Sequence, residues 1–138
     1  MQFHGGCAKV MVVASDRTIL EMLQIRLDVA GYHPIGMRSG VQAIDILRHT
    51  RPDALLIDLD LQDIDGLEVV KALNTQPDRV ATPTLLMGRQ VSTDTIRRGI
   101  DYGVRDCLAK PFSGADVIDR VARLLKGPRS LTRPTHYC

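Results

Sequence analysis

Residues 55–69 read LLIDLDLQDIDGLEV. The run Leu55-Leu56-Ile57 suits a short strand buried on both faces. Five acidic side chains follow within the stretch: Asp58, Asp60, Asp63, Asp65 and Glu68. Asp65-Gly66 is a turn signal, and GLEVVKALN (66–74) has the spacing of a helix. Acids near a helix start are favoured by its dipole, so Asp63, Asp65 and Glu68 are expected to serve the turn and the helix start. Asp58 and Asp60, at the end of the strand, are not explained in that way.

The same alternation extends in both directions. KVMVVA (9–14) is a β-branched run that reads as a strand. The helical segment after it places Ile19, Leu20, Leu23, Leu27 and Ala30 on one face, with Ser15 or Asp16 to cap it and Gly31 to end it. A weak extended segment, YHPIGM (32–37), precedes a helix over about 39–49. DALLID (53–58) is the third strand and TLLM (84–87) the fourth. STDTIRRGIDYG (92–103) is a short amphipathic helix, RDCLA (105–109) a fifth strand, and SGADVIDRVARLLK (113–126) a last helix. Five strands alternating with helices imply an α/β fold: a single doubly wound, five-stranded parallel sheet with helices on both faces. The domain spans residues 9–126. Residues 1–8 form an N-terminal extension, and GPRSLTRPTHYC (127–138) reads as a flexible basic tail.

Composition narrows the function. The 138 residues fit one domain, 44% are hydrophobic and 25% charged, and no apolar run reaches the roughly 18 residues of a membrane span. The start of the chain lacks the pattern of a signal peptide, so a cytoplasmic protein is expected. Three scattered cysteines without CxxC spacing give no expectation of a disulfide framework or a thiolate zinc site. A formal charge of only +2 gives no expectation of direct DNA binding. No nucleophile and base pair or phosphate-binding glycine loop marks an enzyme.

In an open parallel sheet the functional crevice lies beyond the carboxyl ends of the strands. Those ends are Ala14-Ser15-Asp16, Asp58, Gly88-Arg89 and Lys110-Pro111. Asp58 is therefore expected to face Lys110 across the crevice.

RPDALLIDLDLQDIDGLEV, TPTLLMG and GVRDCLAKPF, in this order and spacing, resemble the receiver domain of bacterial two-component response regulators, over about residues 9–126. The resemblance implies that Asp58 is a phosphoacceptor for a histidine kinase, that Lys110 contacts the phosphate, that the Lys110-Pro111 bond is cis and that Mg²⁺ assists. It also exposes departures. The acidic pair that would hold the metal is replaced by Ala14 and Ser15. Asp16 is displaced and reads as a helix cap, while Asp60, two residues past Asp58, can turn toward the same side. Asp16, Asp58 and Asp60 are thus the candidate metal ligands, of a weak or absent site. The switch hydroxyl and the switch aromatic are replaced by Gly88 and Cys107. Arg89 follows, where a small residue is usual, and is expected to pair with Asp58 and occlude the pocket.

The expected function is that of an atypical receiver in two-component-type signalling, acting by protein contact with phosphorylation at Asp58 weak or absent. The alternatives are a working phosphoacceptor and a cyclic dinucleotide-binding regulator using Arg129 and Arg133. The expected partners, a histidine kinase, an output protein or a second copy of the chain, would dock through the fourth helix, fifth strand and fifth helix, where Arg97, Arg98, Asp106, Asp119, Arg120 and Arg123 mix signs.

Overall fold

The computed structural model describes residues 7–75 and 81–126. Five strands, β1 (Lys9–Val13), β2 (His33–Met37), β3 (Ala54–Asp58), β4 (Thr84–Gly88) and β5 (Val104–Ala109), pair in parallel in the order β2-β1-β3-β4-β5. Helices α1 (Arg17–Val29), α2 (Gly40–Leu47), α3 (Gly66–Asn74), α4 (Thr93–Asp101) and α5 (Gly114–Lys126) follow the strands in turn. This is the doubly wound sheet that the alternation implies.

Strand periodicity divides the core into two layers. Val10, Val12, Ala54, Leu56, Leu85 and Met87 face a cluster closed by α1 and α5 through Leu23, Leu27, Val117 and Val121. Met11, Val13, Leu55, Ile57 and Leu86 face the opposite cluster, closed by α2 and α3 through Ala43, Leu47, Val70 and Leu73. The central strands are buried on both faces, so their apolar runs show no polar alternation. β2 lies at the edge and is only half-buried, and Pro34 is tolerated there because an edge strand leaves one side unpaired. That explains its faint signal in the sequence. Helix α4 is held more lightly, and Gly99 is its one buried residue.

Asp16, Ser39, Asp65 and Ser92 accept from the first amides of α1, α2, α3 and α4, which meets the expected cap at Asp16 and the expected helix-start role of Asp65. Asp63 differs from expectation. Instead of serving the α3 turn, its carboxylate accepts from the amides of Gly40 and Val41 at 3.0 Å each and from the Ser39 hydroxyl at 2.8 Å. It therefore clasps the β3–α3 loop to the start of α2. These bonds, from Val41 first, then Gly40 and Ser39, hold the Asp63 carboxyl far below the usual carboxylate range. A folded-state value below the unfolded one adds stability above the unfolded value and loses it as pH falls. Asp63→Ala is expected to cost about 1 kcal/mol at neutral pH, like the loss of a helix cap. Urea unfolding should show the gap between variant and wild type closing as the pH is taken below the ordinary carboxylate range.

Among the cysteines, Cys107 is a free, half-buried thiol, pushed up in pKa by burial and then by the Asp106 charge. Cys7 is disulfide-bonded, which the odd and scattered cysteine count does not anticipate.

Candidate functional site

The carboxyl ends of β1, β3, β4 and β5 meet around a cleft of about 570 Å³. Asp58, the last residue of β3, is 1% exposed at its floor. Its Oδ2 accepts from Lys110 Nζ at 2.7 Å and its Oδ1 from the Asp60 amide at 2.8 Å. Lys110 is carried there by the backbone, because its amide donates to Gly88 O and so continues the β4–β5 pairing past Ala109. The Lys110-Pro111 bond is cis. The expectation that Asp58 faces Lys110 is thus met by a short, largely buried ion pair.

Asp60 joins the same network. Lys110 Nζ lies 3.2 Å from its Oδ2, and the Arg89 amide donates to that oxygen, also at 3.2 Å. Burial alone would raise its pKa, but the hydrogen bond from Lys110, the Arg89 amide and the charges of both cations together lower it. One ammonium group therefore holds two carboxylates.

Arg89 departs from the expected occlusion. Its Nε lies 3.7 Å from Asp60 Oδ2, and its side chain is 76% exposed. Asp58 is already satisfied by Lys110 and an amide, so the guanidinium pairs with the outer carboxylate. Arg89 lines the cleft without plugging it.

The end of β1 is built for structure. Ala14 is fully buried and Ser15 is 5% exposed. The Ser15 hydroxyl donates to Arg38 O and accepts from the Gln62 amide, both at 3.0 Å, while Arg38 Nε donates back to Ser15 O. Ser15 thereby ties together the loops that follow β1, β2 and β3. Sequence reading misses this role, and its only signal is a hydroxyl ending an otherwise apolar strand. Asp16, named as a candidate metal ligand, is committed to the α1 cap through Thr18 N and Ile19 N.

A divalent cation such as Mg²⁺ needs several oxygen donors free to turn toward it. Here Ala14 offers none, the Ser15 hydroxyl is engaged and both Asp58 oxygens carry hydrogen bonds, while Asp16 and Asp60 each keep one oxygen without a hydrogen bond among the described residues. Among the described residues no three His, Cys, Asp or Glu side chains form a metal-holding group.

Gly88 ends β4 and Cys107 lies on β5. A Cβ on Gly88 would lie 3.0 Å from Leu59 Cδ1 and 3.2 Å from Leu59 Cβ, so Leu59 occupies the space beside β4 where a hydroxyl side chain would stand. Cys107 sits half-buried on β5 beside the Asp106–Arg120 ion pair of 2.7 Å.

This layout of sheet, terminal aspartate and cis-linked lysine agrees with a family model for the response regulator receiver domain, which matches residues 10–122. The chain belongs to the response regulator receiver family. The response regulator MprA of Mycobacterium sp. (strain KMS) is 33% identical over 118 residues, 86% of this chain and 50% of that protein. MprA of Mycobacterium tuberculosis (strain ATCC 25177 / H37Ra) is 34% identical over the same shares. The receiver chain thus spans half the length of these relatives. Among solved structures, the chemotaxis response regulator CheY4 of Vibrio cholerae is 28% identical with a TM-score of 0.79, covering 86% of this chain and 99% of that one. The family places this receiver domain in two-component signalling, where receivers interact with kinases or output domains. No helix among the described residues is long and apolar enough to cross a membrane. Arg129 and Arg133, the cyclic dinucleotide candidates, lie outside the described residues.

Proposed function

We propose that this receiver works atypically, passing signals by protein contact while phosphorylation of Asp58 is weak or absent. The observation that supports the reading is the fixed-cation network: both Asp58 oxygens are engaged, and the Ser15 hydroxyl at the end of β1 bonds the loops after β2 and β3. A carboxylate attacking a phosphoryl donor needs an available oxygen and a cation to offset the charge of the transferring group. Here the available charge is held by Lys110 and already shared between Asp58 and Asp60.

Contact would run through α4, β5 and α5. Arg120 pairs with Asp106 and Arg123 with Asp119 on this side, while Ile100 is 61% exposed among Arg97, Arg98 and Asp101. Mixed charge around an apolar centre suits a self-complementary or kinase-facing interface.

Treatment with acetyl phosphate and Mg²⁺, followed by intact-mass measurement, is expected to leave the chain without a stoichiometric phosphoryl adduct. A full adduct that disappears in Asp58→Asn would show instead a working phosphoacceptor.

A further inference from the structure

Helix α2 turns Ala43 and Leu47 inward to the core and presents a different stripe to solvent. Val41, Ile44, Asp45 and Arg48 recur at the i, i+3, i+4, i+7 spacing that sets side chains on one helical face. Val41 is 56% exposed and Ile44 only partly buried. The four line an open hollow of about 660 Å³ on the surface. Valine is a weaker helix former than alanine or leucine, so an exposed Val41 serves neither the helix nor the core.

The charges of the stripe are open as well. Asp45 and Arg48 are both exposed, and neither takes part in an ion pair among the described residues. Arg38, just before the helix, is turned toward the Asp58 cleft by the bond from its Nε to Ser15 O. The start of the stripe is fixed by Asp63, which accepts from the Ser39 hydroxyl and from the Gly40 and Val41 amides. A surface held in this way loses little conformational freedom on binding. An acid and a base on one helical face are self-complementary: when two such helices lie antiparallel across a two-fold axis, the acid of each copy is brought toward the base of the other, and the interaction occurs twice. A partner surface of a single sign would leave one of the two charges repelled.

We infer that this face of α2 is a docking surface for a second copy of the chain, with Val41 and Ile44 of the two helices at its centre and Asp45–Arg48 pairs flanking them. The face lies on the side of the sheet covered by α2 and α3, beside the edge strand β2. It shares no residue with the α4–β5–α5 side proposed above for contact. Association through α2 therefore leaves Ile100, Arg120 and Arg123 free for another partner. The inference does not depend on whether Asp58 accepts phosphate.

Sedimentation velocity of the full chain from about 10 μM to about 1 mM should show a monomer–dimer equilibrium that reverses on dilution, as suits a small interface. Reversal on dilution also excludes an intermolecular disulfide as the link. Val41→Glu is expected to weaken association by at least roughly tenfold, since it places a charge at the apolar centre. Asp45→Arg and Arg48→Asp should each weaken it by about tenfold, because like charges then face each other, and the double reversal Asp45→Arg/Arg48→Asp should return it to within about threefold of wild type. Recovery in the double variant excludes misfolding as the cause of the single losses. A chain that stays monomeric throughout, single reversals without effect, or a double reversal no tighter than its parents would overturn the surface. So would association lost in Ile100→Glu but kept in Val41→Glu, which places the self-contact on the α4–β5–α5 side.

Discussion

Lys110→Met is expected to lower the free energy of unfolding by about 2 to 3 kcal/mol, toward the lower end for a broken buried pair. The substitution keeps most of the side-chain length but removes the ammonium that sits 2.7 Å from Asp58. Asp58 is 1% exposed and cannot turn to water, so its charge is left with only the Asp60 amide. That remaining bond is why the loss should fall short of the larger values seen when a buried ion has no partner. The reverse substitution is milder. In Asp58→Asn, Lys110 retains Asp60 at 3.2 Å and the loss is expected at about 1 kcal/mol or less, the size of an ordinary hydrogen bond. The double variant Asp58→Asn/Lys110→Met should be more stable than Lys110→Met alone, because no charge is stranded. Urea unfolding of the four proteins at pH 7 measures this cycle. Equal losses for the two single variants would mean that Asp58 is not the group whose burial Lys110 makes tolerable.

How much of this was legible in the sequence depended on the range of the interaction. Asp58 and Lys110 stood out because two strand ends in a parallel sheet must meet at one edge, and Asp16 and Asp65 stood out because a cap acts on amides two or three residues away. Asp63 was misassigned for the complementary reason: its partners, Ser39, Gly40 and Val41, are more than 20 residues distant. An acid three positions before a helix that already has Asp65 as its cap was the only hint that it served another element. Arg89 was placed at the right cleft but on the wrong carboxylate. Pattern reasoning could bring it near Asp58 and Asp60, but the choice turned on which oxygens Lys110 had already taken. Ser15 offered least, since its hydroxyl serves two loops that no local spacing connects to it.

Gly66 serves more than the turn in which it sits. Asp65-Gly66 signals a turn, yet the glycine is required because of what lies opposite. A Cβ there would collide with the backbone carbonyl oxygen of Asp58 and would lie 3.1 Å from Leu59 Cα. The first turn of α3 is thus packed directly on the end of β3, and neither side can yield by rotating a side chain. Gly66→Ala is expected to cost about 2 to 3 kcal/mol, as overpacking does when the backbone must move. A matched control exists in Gly36→Ala. The three atoms nearest its new Cβ all belong to the side-chain amide of Gln24, the far end of a flexible, half-buried side chain. That variant should stay within about 0.5 kcal/mol of wild type, since alanine also suits a strand better than glycine. The displacement in Gly66→Ala should be felt at the site as well, because the backbone pushed away is that of Asp58 itself. Combining it with Lys110→Met should therefore give less than the sum of the two losses, the sign of shared structure. If the two losses add, the packing of α3 on β3 does not position the Asp58 carboxylate, and the glycine serves only the turn.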